Sequence, residues 1–196
     1  QTAPYPSRPI TLVAPYSVGG DADLAARNLA PALQQALGQP VVVQNRTGAS
    51  GIIGSAHVLG APPDGYTLLL ARPGSQSILP AIVPKTTKYQ WNDFTFIGLL
   101  ELNPYGCMVS AKSPYKTFDE FVKGLRARGK EMNYGTAGNL TTNDLGPKQL
   151  AKLLNLGPQT PTQIPYKGTG EATTSLLAGQ TDFACGSIGT FLGQIK

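Results

Sequence analysis

The chain has 196 residues, 41% hydrophobic and 14% charged, long and apolar enough for one large or two small domains. Its 23 glycines and 17 prolines stand between apolar runs, which argues against disorder, and no apolar run reaches the roughly 18 residues of a membrane span. The formal charge of +5 favours anionic partners, yet the basic residues are scattered; the densest group, Arg126, Arg128 and Lys130, suits a solvated helix end, and no nucleic-acid-binding motif occurs.

Taken in chain order, Ile10–Ala14 reads as a β-strand that stops at Pro15-Tyr16-Ser17-Val18-Gly19-Gly20-Asp21-Ala22-Asp23. Residues 22–37 follow as a helix, with Leu24, Leu29, Leu33 and Leu37 near one face and Gly38 as the stop; Pro31 predicts a kink or an early break. A second strand, 41–44, runs into Asn45-Arg46-Thr47-Gly48-Ala49-Ser50-Gly51 and a helix at Ile52–Leu59. Strands are expected at 67–71, 94–100 and 105–110, the first closing on Arg72-Pro73-Gly74-Ser75-Gln76-Ser77. Thr117 and Glu120 form a capping box for a helix over 118–127. Strand 132–135 leads through Thr136-Ala137-Gly138-Asn139-Leu140-Thr141-Thr142 to a helix over 143–154. Strand Thr162–Pro165 leads through Tyr166-Lys167-Gly168-Thr169-Gly170 to a helix over 170–178, and strand 182–185 follows. This alternation predicts an α/β fold with largely parallel sheets, its seam near residues 101–104, so that 1–100 and 101–196 form separate domains.

The glycine-rich turns carry the chemistry. A helix start exposes N–H groups without an intrahelical partner and carries partial positive charge, and glycine lets an anion approach the backbone. The first turn is neither a Walker loop nor a dinucleotide fingerprint. Asp23 fits a cap better than a ligand for an amine. Ser50 can donate to an anion or cap its helix; Arg46 fits a tie between loops better than a ligand partner, and Lys167 a surface lysine better than a carboxylate partner. Two glycosylation-type triplets, at Asn45 and Asn139, fall in these turns and read as chance. His57, the single histidine, sits mid-helix among apolar residues, and no serine occupies a nucleophile elbow. No catalytic residue, metal ligand set or cofactor is therefore expected; an α/β enzyme acting on an anionic substrate through Ser17 or Lys167 stands as the alternative. Cys107 and Cys185 leave open a disulfide or two buried thiols. The polar, proline-rich start at Gln1-Thr2-Ala3-Pro4-Tyr5-Pro6 resembles an exported protein after leader removal, although a cytosolic protein can also begin so.

In this order, the turns resemble the Bug family of periplasmic solute-binding proteins, the receptors of tripartite tricarboxylate transporters. The resemblance runs through the whole chain. It takes in Pro9-Ile10, the first turn with Ala26-Arg27, Gly38-Gln39-Pro40-Val41-Val42-Val43, Asn45-Arg46, Gly48, Gly51 and Pro63-Asp64-Gly65-Tyr66-Thr67-Leu68, then Tyr134-Gly135, Gly138, Pro165-Tyr166-Lys167-Gly168 and Gly179-Gln180.

It implies a two-lobed Venus-flytrap receptor of periplasmic-binding type II. Its first lobe would grip a carboxylate with Tyr16, Ser17, Gly20, Asp21, Gly48, Ala49, Ser50, Gly51 and Ser75, and its second would close with Ala137, Gly138, Asn139, Thr141, Thr169 and Gly186. Permease subunits, and a sensor protein, are the implied partners, and the periplasm the implied compartment. Gly186 stands where many members of the family carry an acid, which points away from amino acids toward a dicarboxylate, aliphatic or aromatic. The family runs to roughly 300 residues, so the remainder of the first lobe is expected outside this sequence, and poor stability is expected of the segment alone.

Overall fold

The computed structural model describes residues 4–157 and 160–194. The chain divides into two compact units, Gln1–Leu99 and Leu100–Lys196.

In the first unit, β1 (Ile10–Ala14), β2 (Val41–Asn45) and β3 (Thr67–Leu69) form a parallel sheet in the order β2-β1-β3. The apolar β1 lies in the middle, with Ile10, Val13 and Ala14 fully buried. This follows from parallel strands having both faces covered. Helix α1 (Asp21–Leu37) follows β1 and α2 (Ile52–Leu59) follows β2. α1 contains Pro31 yet runs to Leu37, with no break. Pro31 is on the exposed face of the helix. A π-type turn at Gly74–Ile78 and two short helices, α3 (Leu79–Ile82) and α4 (Pro84–Thr87), follow β3.

The second unit has the strand order β4-β7-β5-β6, formed by β4 (Tyr105–Val109), β5 (Asn133–Thr136), β6 (Thr162–Pro165) and β7 (Phe183–Ser187). β5 is parallel to β6 and β7, and β4 is antiparallel to β7. Helices α5 (Phe118–Arg128), α6 (Thr142–Leu153), α7 (Thr169–Leu177) and α8 (Ile188–Phe191) complete it. Its core gathers Phe121, Leu125, Met132, Tyr134, Phe183 and Cys185, and Phe183 meets both the Phe121 and the Tyr134 ring. The capping box at α5 forms as its sequence predicts: Thr117 accepts from the Glu120 N–H, and Glu120 accepts from the Thr117 N–H.

Two outcomes settle open expectations. Cys107 and Cys185 lie directly opposite each other on β4 and β7 and are joined as a disulfide. Residues 94–100, expected as a strand, form none. The run has strand-like composition, but no neighbouring strand among the described residues takes its backbone hydrogen bonds. Ile97, Leu99 and Leu102 are 82%, 78% and 84% exposed.

Candidate ligand-binding site

In the first unit, the turns after β1, β2 and β3 leave the carboxyl ends of adjacent parallel strands, where open α/β sheets bind ligands. Side chains tie the three together. Tyr16 donates to the Ser50 carbonyl at 3.0 Å, and Asn45 Nδ2 donates to the Tyr16 carbonyl at 3.0 Å. Arg72 donates to the Asp21 carbonyl at 2.7 Å and pairs with the Asp21 carboxylate at 3.5 Å. Gly54 of α2 lies so close to Pro15 and the Arg46 carbonyl that a Cβ there would stand 2.7–2.8 Å from them.

The second turn is wound against its preference. Gly48, Ala49, Ser50 and Gly51 have φ of 124°, 47°, 55° and 93°. Two consecutive non-glycine residues at positive φ cost about 1–3 kcal/mol each and persist only where the surroundings impose them. The surroundings here are buried donors that pin the carbonyls. Tyr16 holds Ser50, Ser55 Oγ holds Gly51 at 3.0 Å, and Gln76 Nε2 supports Ser55 at 2.8 Å. The Gly48 carbonyl takes the Gly51 N–H at 3.0 Å. Ala49 and Ser50 supply the first N–H groups of the turn, those a helix start leaves without an intrahelical acceptor.

These contacts show which of the candidate site residues are engaged within the protein. Burial pushes the Tyr16 hydroxyl well above its ordinary pKa, so it remains a donor and acts as a brace. Ser75 is fully buried and its carbonyl accepts from Tyr89 at 2.7 Å; it lies beneath Gly51. Asp21 is engaged by Arg72. Ser50 does not cap α2, whose cap is Gly51, and Arg46 pairs with Gln44 at 3.0 Å. Ser17 is different: it is 6% exposed and its Oγ is buried with no hydrogen-bond partner among the described residues. It stands beside Gly20, the cap of α1, which brings no side-chain hydrogen bond to the helix start.

The second unit repeats the plan. β5 ends in Thr136, whose Oγ1 accepts from the Gly138 N–H and from Gln163, both at 3.1 Å. Ala137 and Gly138 are buried, and Leu140 has φ of 60°. Thr141 Oγ1 donates to the Gly138 carbonyl at 2.8 Å, closing the turn. Asn139 is exposed at its tip. Thr169 begins α7 after β6, and no hydrogen bond joins its side chain to this turn among the described residues. Gly186 lies in β7, and the place its side chain would take is held by the Asn143 amide, which donates to the Cys185 carbonyl at 2.8 Å. The wall there is therefore filled and uncharged rather than open.

Asp23 and Asp144 are the residues whose importance is not evident from the motifs. Burial raises the Asp23 carboxyl, but hydrogen bonds from Arg27, the Gly19 N–H and Asn45 outweigh it and hold the carboxyl below its ordinary value. Asp144 accepts from Tyr134 at 2.8 Å, from the Leu140 N–H at 2.8 Å and from Lys148 at 2.6 Å. Burial, then the Asp144 charge, push the Tyr134 hydroxyl up, keeping it protonated. An acid at the third helical position was the available signal for both. His57 is exposed on α2, and Lys167 on the turn before α7.

The model of the tripartite tricarboxylate transporter family receptor matches residues 25–196. A UPF0065 protein of Agrobacterium vitis is 35% identical over 192 residues, covering 98% of this chain and 54% of the relative. The structure of the periplasmic binding protein BugD superposes with a TM-score of 0.90 at 33% identity, over 97% of this chain and 62% of that one. MatC from Rhodopseudomonas palustris, solved with bound malate, gives 0.86 at 32% identity, over 95% and 62%. A further R. palustris protein, solved with adipate, gives 0.90 at 28% identity, over 96% and 62%. The chain spans about half the length of the curated relatives it matches.

Proposed function

Because the chain belongs to the tripartite tricarboxylate transporter receptor family, we propose that it is the carboxylate-gripping part of a periplasmic receptor that captures a dicarboxylate and presents it to the permease subunits. The observation that carries this reading is the buried Ser17 hydroxyl, without a hydrogen-bond partner among the described residues, beside the start of α1. A native protein rarely leaves such a group unsatisfied without a purpose. With the N–H groups of the Ala49–Ser50 turn it offers donors suited to one oxyanion. Charge-assisted hydrogen bonds of this kind contribute about 1.5–3 kcal/mol each.

Two similar structures hold malate and adipate, both dicarboxylates, which supports the ligand class. The Gly186 position carries no acid to hold an amine, and Asn143 fills its place with a neutral amide. The Cys107–Cys185 bridge suits an oxidising compartment such as the periplasm, after removal of a leader. A ligand-dependent change at these turns would also give a sensor protein a surface to read. The reading is capture without turnover, in keeping with the receptor family to which the chain belongs.

A thermal-shift screen of mono- and dicarboxylates on the full-length protein tests this. A dicarboxylate at a hundredfold excess over its Kd raises Tm by about 3–8 °C, and mass spectrometry recovers it unchanged. Tight calorimetric binding of aspartate or glutamate with none of the dicarboxylates would refute the ligand class, and turnover would refute the receptor reading.

A further inference from the structure

The two units build their sheets differently, yet one chain of contacts occurs in both. Asp23 and Asp144 each occupy the third position of the helix that follows a glycine-containing turn. They are 1% and 0% exposed. Each accepts the N–H of the residue four positions earlier, Gly19 at 2.9 Å and Leu140 at 2.8 Å. Each binds a cation four positions later, Arg27 at 3.0 Å and Lys148 at 2.6 Å. Each cation then donates to an asparagine side-chain oxygen in a candidate binding turn: Arg27 to Asn45 at 3.3 Å, and Lys148 to Asn139 at 3.2 Å.

Helix capping explains only the first of these contacts. Glu120 and Glu171 make it too, accepting from the Lys116 and Lys167 N–H groups. Both are exposed, and Gly124 and Ser175 stand where a cation would be. An exposed acid therefore suffices to cap a helix in this chain. A buried carboxylate is retained at a desolvation cost that its partners must offset. The burial and the onward link to asparagine occur on the helices after β1 and β5, whose turns are among those the carboxylate-binding reading uses.

We infer that Asp23–Arg27–Asn45 and Asp144–Lys148–Asn139 are positioning relays that set the ligand-facing turns; this inference rests on the carboxylate-binding reading of those turns. In the first unit, Asn45 passes the relay on to the Tyr16 carbonyl, so the turn after β1 is fixed to the end of β2. In the second unit, Lys148 holds the oxygen of Asn139, and the Asn139 Nδ2 makes no hydrogen bond among the described residues. An amide whose oxygen is held by a cation presents its N–H2 outward, the end that a carboxylate accepts from. Asp144 fixes Lys148, and through the Leu140 N–H it also fixes the backbone next to Asn139.

Calorimetric titration of the full-length protein with malate and with adipate tests the relay in the second unit. Lys148→Met is the first variant, because its side chain is about half exposed and its loss leaves the core intact. It weakens the better-bound acid about tenfold, the loss expected from one misdirected charge-assisted hydrogen bond. Asn139→Ala weakens it to a similar extent. The double variant binds no more weakly than Asn139→Ala alone, because both changes act through one amide. Asp144→Asn, where it folds, loses at least as much as Lys148→Met. Wild-type affinity in Lys148→Met, or effects that multiply in the double variant, overturns the relay while leaving carboxylate binding intact. A wild-type protein that binds neither acid overturns the binding reading and the relay with it.

Discussion

Ser17 separates a support from a ligand contact more sharply than any other residue. A buried hydroxyl with a protein partner destabilises the fold when removed; one without a partner does not. Ser17→Ala is therefore expected to leave chemical-denaturation stability unchanged or slightly raised, while weakening dicarboxylate binding about tenfold. A loss of stability with unchanged affinity would make Ser17 a structural residue. Asp23 behaves in the opposite way. Its folded-state carboxyl lies below its ordinary value, so its contribution is fully present above the unfolded-state pKa of about 4 and is lost as pH falls through the folded value. Melting curves of the wild type and Asp23→Asn should differ by a constant gap from pH 8 to about 5 and converge below about pH 4. A gap that persists unchanged to pH 3 would contradict this. At this scale the sequence marks the turns, while burial and partners come only from the structure. Tyr16 and Ser75, both expected at the site, are buried and engaged with neighbouring backbone. Asp144 went unremarked because an acid at the third helical position looks like any cap until its burial is known.

At the scale of elements, the strand-to-turn-to-helix units were legible because hydrophobic period changes across each glycine-rich turn, as from β1 to α1 and from β5 to α6. Where this signal was local, it held: the Thr117–Glu120 capping box needs only neighbouring residues. Where formation depended on a distant partner, it did not. Residues 94–100 have the composition of a strand, but a strand exists only with a neighbour to pair with. The segment from Gly74 to Thr87 was missed because its helical pieces are four or five residues long and interrupted by proline, too short for periodicity to show. Pro31 was expected to kink α1 or end it early, and the helix runs through it to Leu37. The packing of α2 on the first turn makes its own prediction. A Cβ at Gly54 meets backbone atoms of Pro15 and Arg46, which cannot rotate away. Gly54→Val should cost about 1–3 kcal/mol in urea unfolding and weaken ligand binding by parting the two turns. Wild-type stability would show that the turns are not held together at this contact.

For the whole molecule, the disulfide is the strongest covalent constraint within the second unit. It joins residues 78 apart in sequence, across β4 and β7 and beside the Asn143–Cys185 contact. Replacing both cysteines by alanine should lower stability by about 2–5 kcal/mol, measured by denaturant unfolding, with the largest loss of hydrogen-exchange protection in β4 and β7. Equal protection in both forms would make the bridge incidental. The paired cysteines could not be assigned from the sequence because pairing depends on β4 lying against β7, a non-local fact. The central claim, that turns in each unit grip a carboxylate through main-chain N–H groups and Ser17, is tested most directly by a crystal structure of the full-length protein with a bound dicarboxylate. One carboxylate is expected within about 3 Å of the Ser17 hydroxyl and of the Ala49 or Ser50 N–H groups. A ligand bound with those donors still facing solvent would contradict it.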